Sequence, residues 1–502
     1  MSAIKTLLIA NRGEIALRVI RSARILGVRT VAVYSDADSS AAHVTAADEA
    51  LPLGPPEPSA SYLNTAALIA AAKDCGADAI HPGYGFLSER PEFARAVEQA
   101  GLVFIGPPAE VLSMVADKVA ARHIAISNGL PVVPGCDASD LHSVREFGVK
   151  AGYPILVKAA AGGGGRGMRV VGSPGELAGA LDAAAREAAA AFGDPRLFVE
   201  KYLARPRHIE VQLLADNRGH TVALGERECS IQRRHQKIIE ESPAPHLSDE
   251  LRGQIIEAAL KLARAAKYRN AGTAEFLVDD DSFYFLEVNA RLQVEHPITE
   301  MRFGRDLVLD QLLIAMGERV GEPMEPRGVA IECRINAEDP LRDFQPATGT
   351  VIQLMLPAGP GVRVDTHLLP GTQISPYYDS LLAKVVSYGA TREEARRRMA
   401  VALNEFSLLG VQTTAGFLRE VITSEMFACA ELSTRFVPEF LAQRSGHSTD
   451  LTVALIAAAS VSQKGIMATA AGVGASSDHG PNVSRRSPWA EVGEFELWRR
   501  PI

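Results

Sequence analysis

At 502 residues, with 47% hydrophobic and 22% charged side chains, the chain has ordinary globular composition and enough apolar material for about three domains. Lys plus Arg number 52 against 60 Asp plus Glu, a formal charge of −8 that argues against a general nucleic-acid binder while leaving local basic clusters free to hold phosphates. The five cysteines (Cys75, Cys136, Cys229, Cys333, Cys429) are scattered, odd in number and without a CxxC pair, a pattern of reduced thiols rather than of a disulfide framework or zinc site.

The amino-terminal MSAIKTLLIANRGE turns polar too soon for a signal peptide or spanning helix, no membrane segment is visible, and a cytoplasmic location is expected. Residues 5–10 form a short apolar run, 11–14 a polar turn, 15–26 a helical pattern and 30–35 a second strand, the βαβ signature of a parallel sheet. A strand over Ala79–His81 leads into Pro82-Gly83-Tyr84-Gly85, and this first region is expected to end near Met114. The second region, 115–325, holds a strand at 154–158, a glycine loop at 162–167 and two strands between 273 and 294. Residues 323–327 read as a linker into a mixed α/β region ending at 446. The tail, 447–502, has an apolar helical stretch at 451–460, an Ala/Gly/Ser-rich linker at 465–487, and both tryptophans, Trp489 and Trp498. No internal repeat is present.

The most informative segment is EVNARLQVEH, residues 287–296. If an extended conformation persists, Glu287, Asn289, Arg291, Gln293 and Glu295 share one face, and Val288, Ala290, Leu292 and Val294 share the other. Two carboxylates, two amides and a guanidinium on one face suit a metal and an oxyanion better than a solvated surface, which would mix Thr, Ser and Lys. Strands at 273–278 and 282–288, joined by 279–281, would add Glu275 as a hard ligand beside Glu287 and Asn289, an oxygen-only set suited to Mg²⁺. For Glu275 to oppose Glu287, the loop must be odd in length and centred on Asp281, or a bulge must restore parity. A regular two-residue turn at Asp280-Asp281 would separate them.

The loop GGGGRG at 162–167 could close its N–H groups around phosphate, with Lys158 adding charge; a flexible glycine linker reads equally well. It lacks the GK[ST] of a Walker A loop. The turn Asn11-Arg12-Gly13-Glu14 is like a dinucleotide-binding turn, with Asp36 after the second strand, but without G-x-G-x-x-G no NAD site is assigned. SIQRRHQK, 230–237, is either a dense donor set or a solvated charged face, and Cys229 beside it is structural, since no base is identifiable for it.

Taken together, HPGYGFLSE (81–89), KAAAGGGGRGM (158–168), FVEKYL (198–203), RHIEVQ (207–212), SIQRRHQK, EVNARLQVEH, RINAEDP (334–340) and YYDSLLAK (377–384) closely resemble the biotin carboxylases of the ATP-grasp superfamily, from about residue 5 to 445. The resemblance implies an α/β (α+β overall) fold: a Rossmann-like domain at 1–114, an ATP-grasp domain at 115–325 with a mobile lid near 131–203, and a mixed α/β C-terminal domain at 326–446. It implies a nucleotide pocket of Lys118, Lys158, Gly164, Gly165, Glu200, Lys201, Leu203, His208, Gln232 and His235, completed by the metal ligands Glu275 and Glu287. Those two, with Asn289, would hold two Mg²⁺ or Mn²⁺ ions. Lys237, Arg291, Gln293, Val294 and Glu295 would receive bicarbonate, Arg334 would face the biotin ureido group, and Tyr84 would border biotin. His208 and His235, apart from the resemblance, read as packing histidines.

Ala290 stands where the family commonly has Thr, at a position expected to face the core. No Ala-Met-Lys-Met biotinylation sequence occurs, so biotin is expected on a separate carrier protein, with a carboxyltransferase partner and a homodimer or larger assembly. The stretch from Trp489 to Trp498 resembles the start of the segment that follows the carboxylase region in fused acyl-CoA carboxylase α subunits. In the mechanism implied, Glu295 deprotonates bicarbonate, carboxyphosphate forms from ATP, and Arg334 stabilises the biotin enolate that captures CO₂. The rival readings are an ATP-grasp carboxylate–amine ligase and a non-catalytic scaffold.

Overall fold

The computed structural model describes residues 4–160 and 168–443, without the side chains of Lys118, Val119 and Phe192. The chain divides into two compact units, Met1–Leu441 and Ala442–Ile502. The tail expected over 447–502 lies outside the described residues, as does the glycine loop.

The N-terminal region is a five-stranded parallel sheet in the order Glu49–Gly54, Arg29–Ser35, Thr6–Ile9, Ala79–His81, Val103–Phe104. Its first strand is buried throughout, as expected where helices cover both faces. The helix Gly13–Ile25 follows directly, so the turn at 11–14 sits at the carboxyl end of a central strand. The helix buries Ile15, Ala16, Val19, Ile20 and Ala23. Its buried Arg18 is neutralised by Glu300 and Asp306 at 2.6 and 2.7 Å.

A separate four-stranded antiparallel sheet takes the order Gly135–Asp137, Leu197–Lys201, Ile155–Ala159, Arg169–Val171. The helices Leu141–Ala151 and Leu177–Phe192 flank it in sequence, and a core containing Val144, Ile155, Val157, Leu177 and Val199 forms around it. Asp140 caps the first helix by accepting from two backbone N–H groups, at 3.1 and 2.9 Å.

The largest sheet has eight strands, all paired antiparallel: Ser282–Asn289, Asn270–Asp279, Arg207–Ala215, Thr221–Arg233, Gln236–Ser242, Val329–Asn336, Leu381–Gly389 and Val362–Thr366. The boundary expected at 325/326 therefore falls inside one continuous sheet. Residues 323–327 only connect strands that already belong together: Gln236–Ser242 pairs with Val329–Asn336, Ile239 opposite Cys333. The helix Asp249–Ala265, capped by the Ser248 hydroxyl accepting from Leu251 N–H at 3.2 Å, packs beside the first half of this sheet. Among the described residues no helix is long and apolar enough to cross a membrane.

The hairpin from Asn270 to Asn289 resolves the parity question. Its turn is the two-residue Asp280-Asp281, with Asp279 opposite Ser282, yet Glu275 lies opposite Glu287. The register shifts between Glu275 and Phe276, which pairs with Phe285, so Leu286 is the extra residue of a β-bulge. Consecutive Leu286 and Glu287 accordingly both line the same cavity.

Candidate active site

A cavity of about 1630 Å³ is lined by residues from all three regions of the first unit. The small sheet contributes Lys158, Glu200, Lys201 and the adjoining Leu203; the large sheet contributes His208, Gln232 and His235. Glu200 accepts from the Lys158 ammonium and from Arg122 at 3.1 Å. Arg234 and His235 form a two-residue turn with φ of 48° and 65°, a left-handed pair that matches the twist of the flanking strands. Burial and the nearby Lys158 lower the His235 imidazole pKa. Lys118 opens the helix Lys118–Ser127, and Gly164 and Gly165 lie outside the described residues.

Lys237 is the centre of charge. Its Nζ donates to Glu210 at 2.5 Å, to Glu275 at 2.8 Å and to Glu295 at 2.8 Å. Burial alone would lower the Lys237 pKa, but the three carboxylates outweigh it and hold the ammonium well above its usual range. The same balance runs the other way for its partners. Burial would raise Glu295, but Lys237 and Arg334 keep it well below the ordinary carboxylate value. Glu275 is held low by Lys237 and by His208, 2.9 Å away. His208 is thus an ion-pair partner of Glu275 as well as a cavity wall.

The extended conformation does not persist through residues 287–295. The strand ends at Asn289, four irregular residues follow, and the chain turns at Val294-Glu295 to enter the helix His296–Phe303 with Pro297 in its first turn. The alternation survives in part without the strand. Ala290 and Leu292 are 1% and 0% exposed, whereas Glu287, Asn289, Arg291 and Gln293 line the cavity. Val294, expected on the apolar face, lines it too, and Glu295 lies behind it, fully buried. Arg291 ties the loop together, donating to Gln293 Oε1 at 2.8 Å, Asn289 Oδ1 at 3.1 Å and Glu89 Oε2 at 2.9 Å.

Arg334, on the strand Val329–Asn336, places one Nη2 2.8 Å from Glu295 and 2.5 Å from Glu240. Burial, only partly offset by Arg334, pushes Glu240 up to about 7. Glu332, opposite Glu240, is fully buried with neither oxygen hydrogen-bonded among the described residues, and burial raises its pKa well above the usual value. Tyr84 lines the cavity and donates to Glu14. Cys229 is buried, which pushes its thiol pKa well up and fits a structural role.

Sequence reasoning assigned no role to Glu210, Glu240, Glu332, Glu89 or Arg122. Glu210 is fully buried and held by Arg227 as well as Lys237. Its position between Ile209 and Val211 reads as a solvated strand face, and only its place in the RHIEVQ motif signalled otherwise.

Among the described residues, three sets of donors could meet a cation. Glu275 and Glu287 oppose each other, and Asn289 opposite Thr273 continues the row, an oxygen-only group fitting hard divalent ions such as Mg²⁺. Deeper, His208, Glu210 and Glu275 bring ligand atoms within 4.8 Å of one another, as do Glu210, Cys229 and Glu295. There the Lys237 ammonium already neutralises the carboxylates.

Residues 3–112 match the biotin carboxylase N-terminal domain, 117–322 the carbamoyl-phosphate synthase L chain ATP-binding domain, and 332–439 the biotin carboxylase C-terminal domain. The chain is 48% identical over 444 residues to biotin carboxylase 1 of Bacillus subtilis, covering 87% of this chain and 99% of that protein. It is 44% identical over 504 aligned residues to the mitochondrial methylcrotonoyl-CoA carboxylase subunit alpha of Dictyostelium discoideum, covering 98% of this chain and 70% of that one. In three dimensions it matches the biotin carboxylase domain dimer of Hydrogenobacter thermophilus 2-oxoglutarate carboxylase, in complex with MgADP, ADP and bicarbonate. That match has a TM-score of 0.83 and 42% identity, over 88% of this chain and 98% of that one. A parallel N-terminal sheet, a mixed sheet-and-helix body with its charged cavity, and identity over nearly the whole first unit agree: the chain belongs to the biotin carboxylase family.

Proposed function

We propose that this biotin carboxylase carboxylates biotin on a separate carrier protein, using ATP and bicarbonate, as the first half-reaction of an acyl-CoA carboxylase. The observation that carries the reading is Glu295, buried beside the cavity that Lys237, Arg291 and Arg334 line, and 2.8 Å from both Lys237 and Arg334. This arrangement places an ionised carboxylate base within hydrogen-bonding reach of an ammonium on one side and a guanidinium on the other.

Glu295, kept ionised by Lys237 and Arg334, takes the bicarbonate proton, and the freed oxygen attacks the γ-phosphate of ATP to form carboxyphosphate and ADP. Lys237 and Arg291 hold the anion during attack, a preorganised arrangement that costs no reorientation as charge shifts. Lys158, Lys201, His208, Gln232 and His235 hold the nucleotide, joined by Lys118, Gly164 and Gly165. Glu275, Glu287 and Asn289 would hold divalent ions, which neutralise phosphate charge when bound. Carboxyphosphate breaks to CO₂ and phosphate, the phosphate takes the biotin N1′ proton, and Arg334 stabilises the enolate that captures CO₂. Tyr84 borders the biotin end of the cavity.

The acyl-CoA assignment is supported by the alignment with the Dictyostelium α subunit, which continues through 98% of the chain. The dimeric Hydrogenobacter domain supports a homodimer, and a carboxyltransferase completes the complex. The test is direct: ATP hydrolysis by the purified chain should require bicarbonate, rise with free biotin and yield carboxybiotin. Bicarbonate-independent ATP cleavage driven by an amine and a carboxylate would instead establish the ligase reading.

A further inference from the structure

The motif YYDSLLAK ends on Lys384, to which the reaction above gives no task. Lys384 is 0% exposed, on the strand Leu381–Gly389, and lies directly between Arg334 and Asp365 in the rows of the sheet. Directly opposed residues share a face, so these three side chains stand side by side. The Lys384 ammonium has three donors. It donates to the Val294 carbonyl at 3.1 Å and pairs with Glu14 Oε1 at 3.1 Å, while Asp365 Oδ2, at 3.8 Å, adds charge without a hydrogen bond. The Tyr84 ring centroid is 5.8 Å away, and the Tyr84 hydroxyl donates to the same Glu14 oxygen.

These contacts join three chain segments far apart in sequence. Val294 belongs to the loop 290–295, of which Arg291, Gln293 and Val294 line the cavity. Glu14 starts the helix after the first strand. Tyr84 stands on the Pro82–Gly85 loop, which Asn11 grips by donating to the Pro82 and Tyr84 carbonyls at 2.7 and 2.8 Å. A hydrogen bond to a carbonyl fixes the plane of its peptide, and the peptide of Val294 carries the N–H of Glu295. A buried ammonium is costly unless its partners are in place, so this knot holds only one arrangement well.

We propose that Lys384 is a positioning residue that sets the Gln293–Glu295 loop for bicarbonate through the Val294 carbonyl and sets Tyr84 for biotin through Glu14. The inference rests on the functional reading above. It deepens that reading by making one lysine the mechanical link between the two substrate ends of the cavity.

The test is steady-state kinetics on the full chain carrying Lys384→Met, Lys384→Arg and Glu14→Gln, with ATP, bicarbonate and free biotin varied separately and melting temperatures recorded. Lys384→Met should raise the KM for bicarbonate at least tenfold, leave the KM for ATP within about twofold, and be partly rescued by Lys384→Arg; misplacement of about 1 Å is enough for such losses. Glu14→Gln, neutral and of the same shape, is the milder variant should Lys384→Met fail to fold. It should raise the KM for biotin several-fold with bicarbonate and ATP within twofold. An unchanged bicarbonate KM in folded Lys384→Met, parallel rises for bicarbonate and ATP, no rescue by Arg, or an unchanged biotin KM in Glu14→Gln each overturns the proposal. If the wild-type chain itself lacks bicarbonate-dependent ATP cleavage, the functional reading fails instead.

Discussion

Glu275 and Glu287 face each other across a hairpin whose turn alone would have placed them on opposite faces; the bulge at Leu286 restores the match. Replacing Glu287 with Gln keeps shape and register while removing one anionic oxygen from the row. The expected outcome is a tenfold or larger rise in the metal concentration needed for half-maximal ATP cleavage, with the melting temperature unchanged within about 2 °C. Metal titration at fixed ATP checks it.

Lys237 should be the least replaceable side chain of the site. Lys237→Met leaves Glu210, Glu275 and Glu295 facing one another without their shared cation. Breaking a buried ion pair from one side typically costs about 3–5 kcal/mol. ATP cleavage should fall by about two orders of magnitude or more, and denaturation at pH 8 should show a loss in that range. Without the ammonium the carboxylates bind protons more readily in the folded state, so the deficit relative to wild type should shrink toward pH 5.

Arg334 acts after carboxyphosphate forms, so Arg334→Ala should lose biotin carboxylation by about 100-fold while retaining at least a tenth of bicarbonate-dependent ATP cleavage. Some loss of cleavage is expected because Arg334 also helps keep Glu295 ionised. Product analysis for carboxybiotin beside phosphate release distinguishes the two, and equal loss of both would give Arg334 a different task.

A stability prediction comes from Glu241, outside the cavity lining. Burial, only partly offset by Arg392 at 2.9 Å, pushes its carboxyl up to about 7 from an ordinary 4.5. A group with a raised folded-state pKa binds an extra proton when folded between those values. Its stabilising contribution is therefore present below 4.5 and is lost as pH rises through 7. Glu241→Gln removes that slope. Relative to wild type, the variant should melt progressively higher on going from pH 5 to pH 8, which parallel melting curves would reveal.

Three strands of the parallel N-terminal sheet were legible because they are short apolar runs separated by turn residues, whereas the edge strands Glu49–Gly54 and Val103–Phe104 were not read. The grouping of Glu287, Asn289, Arg291 and Gln293 was legible for a different reason. Ala290 and Leu292 pack into the core whether the chain is a strand or an irregular loop, so alternation outlived the strand that suggested it. The bulge was unreadable as to place, since Leu286 looks like any apolar strand residue. Glu240 and Glu332 were missed because glutamates in strands usually point to water, and their burial depends on strands that come together only in the folded sheet. Lys384 carried a signal that was not used: a single cation inside the run Leu381-Leu382-Ala383-Lys384-Val385-Val386 marks a strand covered on both faces, where a charge needs partners.

The continuity of the large sheet bears on how this chain can be cut. A fragment ending at 325 would leave Gln236–Ser242 without its neighbour, and one starting at 326 would leave Val329–Asn336 equally bare. Each piece would carry a raw row of backbone donors and acceptors, the template on which strands from other chains add. Halves produced separately should therefore precipitate, and halves produced together should recombine through that seam.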